Sequence, residues 1–202
     1  MASLYLFYAC SPERHLMKKA KREQSNRIEA SINPVDLPFI RFTRKERESL
    51  RRLANSSDVA DRKRCVDYIS LNGTNHRQNY DFVFEMCDIL IADRSQYVRW
   101  QSQVLLRPFT RSHPQKLWPS VMKWGSAGSH DIRSCVACCL LEHILEHHFS
   151  EYFPKIESAI KSGNKRLLST LKICDKIGWA EETENAERFD RLIAEYGKAN
   201  DQ

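Results

Sequence analysis

Apolar residues recur at three- and four-residue spacing along most of the chain, and the breaks in that pattern fall at short polar turns. Thr43-Arg-Lys-Glu46 carries the hydroxyl and carboxylate of a capping box. It opens a helix with Leu50, Leu53 and Ala54 on its inner face, which ends at Asn55-Ser-Ser57. A second helix covers about 58–71, with Cys65, Val66 and Ile69 inward and Asn72-Gly73 as the turn that follows. Further helices are predicted at 77–92 and 96–106, at 115–125 and 131–148, and at 151–162 and 165–177, with a last one at 183–196. In the 77–92 helix Phe82, Phe84, Met86, Ile89 and Leu90 are candidates for burial. Upstream, Leu4–Tyr8 is a short apolar run, either a strand or a helical turn. Ser11-Pro12 then opens a helix to about Ala30, and Asn33-Pro-Val-Asp-Leu-Pro38 breaks it.

Four of these helices open on a similar dipeptide: Asp61-Arg62, Val98-Arg99, Ile132-Arg133 and Lys165-Arg166. Small or β-branched residues follow three or four positions later, at Cys65-Val66, Ser102, Val136-Ala137 and Ser169-Thr170. The arginines are 37, 34 and 33 residues apart, and a recurrence at that period marks a helical solenoid.

The pattern across roughly 44–198 resembles the HEAT-repeat family, most closely in Asp93…Val98-Arg99, where the turn Asp stands six residues before the Arg. Asp58 precedes Arg62 by four, and no Asp lies six before Arg133 or Arg166. The resemblance implies an all-α, right-handed α-solenoid of about four HEAT-like helix pairs at 44–198, behind a basic N-terminal extension at 1–43. It also implies that Arg62, Arg99, Arg133 and Arg166 bond the turns of neighbouring repeats.

Composition narrows the class. Apolar residues make up 42% and charged residues 29%, as in a globular chain, and six glycines with seven prolines argue against many β-turns. The longest apolar run, Leu4 to Cys10, is too short to span a membrane and has neither the basic flank nor the cleavage site of a secretory signal. Seven cysteines, an odd number set mostly within helical patterns, read as reduced buried thiols in a cytoplasmic protein.

The net charge of +6 is uneven: residues 1–54 hold 12 Lys/Arg against 6 Asp/Glu, and residues 55–202 hold 20 of each. Arg14, Lys18, Lys19, Lys21, Arg22 and Arg27 form a basic arm, the expected place for any weak, salt-sensitive contact with nucleic acid.

The densest chemistry lies in Cys135–His148. His143 and His147 share a helical face, a spacing that can chelate a metal, and with Glu146 they match H-x-x-E-H, in which a His pair holds zinc and the Glu activates water. No third ligand is marked, and on a helical wheel both histidines fall with Ile132, Val136 and Leu140, so hydrogen-bonded core histidines are expected instead. Deoxyhypusine hydroxylase, an iron enzyme of HEAT fold, uses His-Glu dipeptides on several repeats; here the order is Glu-His and confined to one helix. Cys135 and Cys138 sit beyond the first helical turn and read as small core side chains. Trp100, Trp118, Trp124 and Trp179, with Asp131, invite comparison with HEAT-like alkylpurine DNA glycosylases, but no Trp-rich segment bears a central Asp.

The expectation is a protein-binding scaffold or adaptor that needs no cofactor, partners another protein and enters no membrane. Its alternatives are a nucleic-acid-binding module or HEAT-like glycosylase, and a zinc-dependent hydrolase centred on His143, Glu146 and His147.

Overall fold

Thr43 turns the chain into its first helix, α1 (Arg44–Ala54): the Glu46 amide donates to the Thr43 hydroxyl, and the Glu46 carboxylate accepts from the Thr43 amide at 2.7 Å. In the computed structural model residues 41–74 and 76–197 are described; Cys10 and the basic arm from Arg14 to Arg27 lie outside them. Asp58 caps α2 (Val59–Asn72) by accepting from the Ala60 amide at 2.8 Å. A 3₁₀ turn, Arg77–Asn79, leads into α3 (Tyr80–Leu90). The predicted first turn at Arg77 is thus tightened, and the buried Asn79 in it accepts from the Phe42 amide at 3.0 Å.

After α3 come α4 (Gln96–Leu106), the single turn α5 (Phe109–Ser112) and α6 (Pro114–Gly125), whose Pro114 occupies the first turn, where no amide is needed, while Pro119 lies within the helix. Then α7 (His130–Val136) passes through a π-helical turn, Ala137–Leu141, into α8 (Glu142–Lys161). The chain ends in α9 (Lys165–Leu171), a 3₁₀ turn at Gly178–Glu181 and α10 (Thr183–Gly197). Every regular element among the described residues is helical, and the fold is all-α.

One boundary falls where the periodicity puts it and one does not. The predicted helices at 131–148 and 151–162 are parted by a kink at His148, whose φ of −139° and ψ of 35° leave the helical region. The helix predicted to reach 177 stops at Leu171. Beyond it the chain is drawn onto α8, where the Asp175 amide donates to Glu142 at 3.2 Å, and it turns at Gly178 with φ +54°.

Among the described helices α1 packs on α3 and α8 packs on α10, while α2, α4, α7 and α9 follow one another in contact as one row. Side-chain bonds between successive pairs span similar lengths of chain: Arg51–Glu85 covers 34 residues, Lys116–Asp81 and Lys123–Asp88 cover 35, and Asn164–Ser126 covers 38.

The core lies between these packed helices. Phe149, Tyr152 and Phe153 are buried there, each contributing about 2 kcal/mol by removing its ring from water. In α3 the buried stripe runs through Phe82, Val83, Met86, Cys87 and Leu90, which leaves Ile89 at its edge, exposed, and Phe84 half-buried against Phe109. No helix among the described residues is long and apolar enough to cross a membrane.

Candidate functional site

Three of the helix-opening arginines fold back on the turn before them in the same way. Arg62 Nη1 donates to the carbonyls of Ser56 and Ser57, Arg99 Nη1 to those of Asp93 and Arg94, and Arg133 Nη1 to those of Ala127 and Gly128. The outer edge of the fork reaches the next pair. Arg62 meets Asp93 in a pair 13% and 5% exposed, and Arg99 Nε donates to Asp131 at 2.7 Å.

The series then fades. Arg133 Nε is buried with no acceptor, because the matching turn offers Asn164, whose amide goes to Ser126 at 2.8 Å. Arg166 is exposed and makes no fork among the described residues: the turn before it is short, and the Ile160 carbonyl six residues back is taken by the Gly163 amide.

The Cys/His helix is buried on nearly every side from Cys135 to Leu145. The π turn adds a residue to the helical count, so positions beyond Leu141 fall out of phase with Ile132 and Val136. His143 is 6% exposed, while His147 is half-buried. The Glu146 carboxylate accepts from His143 Nδ1 at 2.8 Å, so Glu146 is spent on its neighbour and does not stand between two metal-facing imidazoles. His143 Nε2 lies 3.7 Å from Glu142 and has no hydrogen-bond partner. Burial pushes the His143 pKa down and raises that of Glu142 to about 7. No group of three or more His, Cys, Asp or Glu side chains among the described residues is arranged to hold a metal.

The six described cysteines form no disulfide with one another, and all are buried. Burial pushes the Cys65 thiol up to about 12 and the Cys135 and Cys174 thiols well above their ordinary value, against any role as thiolate nucleophiles.

The tryptophans do not share an environment. Trp100 donates to Asp131 at 3.3 Å, Trp124 donates to Asp88 at 2.6 Å, Trp118 packs on Tyr152, and Trp179 stands 53% exposed. Asp131 is also taken by Arg99 and by Gln96. Asp88, which sequence reasoning missed, gathers Ser120, Lys123 and Trp124; burial opposes its ionisation, but these three bonds outweigh that and hold its pKa below the ordinary value. The 35-residue spacing from Asp88 to Lys123, close to the arginine period, was the available signal.

Clefts open among the described residues. One, of about 510 Å³ between α8 and α10, is self-compensated: Glu157, Glu184, Glu187 and Glu195 face Lys161, Arg188 and Arg191, and Arg188 pairs with Glu157. Another, of about 330 Å³, lies at the start of α1 among Arg41, Arg44, Arg47 and Arg51. Apolar groups are exposed on the row of α2 and α4, at Val59, Tyr68 and Leu71 of α2 and Tyr97 of α4. There Lys63 Nζ sits 5.4 Å from the centre of the Tyr97 ring, and the Tyr97 hydroxyl donates to Asp67 at 2.6 Å.

No protein-family model, no curated protein and no solved structure matches the chain.

Proposed function

We propose that this chain is a short right-handed α-solenoid of HEAT-like pairs that serves as a protein-binding scaffold. The observation that carries this reading is the repeated fork of Arg62, Arg99 and Arg133, whose first two members are tied onward to Asp93 and Asp131. In such an array each helix pair contacts mainly its neighbours, and the stacked second helices offer an extended face. On that face Val59, Tyr68, Leu71 and Tyr97 are exposed and flanked by Lys63 and Asp67, a mixture of aromatic, apolar and charged groups suited to a protein surface. The forked arginines are structural in this reading. Their donors are engaged with backbone carbonyls and carboxylates, and they are not the source of an anion-binding field.

Capture from cell extract with the tagged full chain, with and without nuclease, tests the reading. A protein retained in both arms is the expected result. Loss of all bound material on nuclease treatment would favour nucleic-acid binding through the basic arm at Arg14–Arg27.

A further inference from the structure

Arg41, Arg44, Arg47 and Arg51 line one open cavity of about 330 Å³, with Phe42 among them. The spacing of 44, 47 and 51 places three of the four on one face of α1. Their counter-charge is incomplete. Arg44 meets Glu48 at 3.0 Å, and Arg51 forms a two-point fork with Glu85 at 2.7 and 2.9 Å. Arg47 donates to the carbonyls of Phe42 at 3.3 Å and Gln78 at 2.9 Å, and Arg41 has no hydrogen bond or ion pair among the described residues. Four cations therefore converge on one space with two carboxylates paired to them, while Asp81, already bonded to Lys116, also faces Arg47.

The forks are also held in place. The Arg47 and Arg51 guanidinium carbons lie 5.3 and 5.1 Å from the centre of the Phe82 ring, which restricts how far either group can swing away. Like charges held around a cavity repel until an anion joins them, and a guanidinium matches the paired oxygens of a carboxylate or phosphate.

We propose that this cavity binds one anionic group, a carboxylate or a phosphoryl group, presented by an acidic segment of a partner protein. The identity of the carrier rests on the scaffold reading above. A compact anion fits better than a nucleic-acid strand for two reasons. Glu46 and Glu48 interrupt the basic surface of α1, and Phe42 and Phe82 are both 2% exposed, so neither offers a ring for a base to stack on.

Calorimetric titration of the full chain at physiological salt tests this with three probes: a pentaglutamate peptide, a Gly/Ser peptide with one central phosphoserine, and a random-sequence DNA duplex. Each is titrated into wild type and into the Arg41→Ala/Arg44→Ala double variant. Both positions are exposed, so circular dichroism of the variant should match wild type. At least one peptide should bind wild type, and the variant should bind it at least about tenfold more weakly, through loss of charge-assisted bonds. The glutamate and phosphoserine arms then tell which oxyanion the cavity takes. Equal peptide affinity in the two proteins, or no peptide binding to wild type, overturns the proposal. So does DNA binding that falls in the variant while neither peptide binds, which would make the cavity a nucleic-acid contact. Failure of the scaffold reading shows elsewhere, as an extract capture that retains no protein, and leaves these titrations intact.

Discussion

Arg99 and Asp131 are joined across 32 residues: Arg99 Nε donates to the Asp131 carboxylate at 2.7 Å while Nη1 of the same side chain holds the carbonyls of Asp93 and Arg94. One guanidinium thus fixes its own turn and ties it to the next helix pair. The pair is 15% and 32% exposed, so solvent screens it only in part. A double-mutant cycle with Arg99→Ala and Asp131→Ala should return a coupling of about 2 kcal/mol by chemical denaturation. Arg99→Lys should lose most of it, because an ammonium cannot span both the carbonyls and the carboxylate. Additive single-variant effects would show that the bond carries no stability.

Glu142 gives a pH dependence of definite sign. Its pKa rises from 4.5 to about 7 through burial, so the folded chain keeps a proton that the unfolded chain releases. The native state is therefore favoured below pH 4.5, and this contribution is lost as the pH climbs through 7, by about 3 kcal/mol at most. His143 acts in the opposite direction: burial lowers its pKa from 6.5, so its contribution is complete above 6.5 and lost on acidification. Glu142→Gln removes the first effect and keeps an acceptor for the Asp175 amide. Its Tm should exceed that of wild type at pH 8 and approach it near pH 5. Calorimetric scans of both proteins across that range decide, and a constant difference in Tm would exclude Glu142 as the titrating group.

Two glycines offer a matched comparison. At Gly178, with φ +54°, an added Cβ would come within 2.9 Å of the Glu146 carbonyl oxygen, where the 3₁₀ turn is seated on α8. At Gly128 an added Cβ meets nothing within 4 Å. Gly178→Ala should cost about 2 kcal/mol, whereas Gly128→Ala should stay within about 0.5 kcal/mol of wild type in urea unfolding. Equal effects at the two sites would mean that the 172–181 segment is not held against α8.

Local chemistry made much of the fold readable. The capping box at Thr43 and Glu46 is written in four consecutive residues, and α4 begins and ends where the 96–106 periodicity places it. Less was readable where tertiary contacts set the outcome. The π turn has no proline or glycine at its position, and the early end of α9 goes with the bond of the Asp175 amide to Glu142, 33 residues earlier, and with the close approach of Gly178 to Glu146. The same limit applies to sites. A five-residue match singles out His143 and His147, but the bond of Glu146 to His143 and the place of Glu142 beside its other nitrogen are set by the fold. The four arginines around the 330 Å³ cavity were passed over because their charges counted merely as the end of a basic stretch.

The scaffold account places the partner's principal contact on the row of α2 and α4, apart from the α1 cavity that takes its acidic segment, and site-specific photocrosslinking tests that placement most directly. A benzophenone side chain would replace Tyr97 on α4 in one protein and Ile89 on α3 in another; the two residues are 37% and 39% exposed, so they differ in helix and hardly in access. Irradiation in nuclease-treated extract should give a discrete protein adduct from position 97 and none from position 89. Adducts from position 89 alone, or from neither position, would contradict the account.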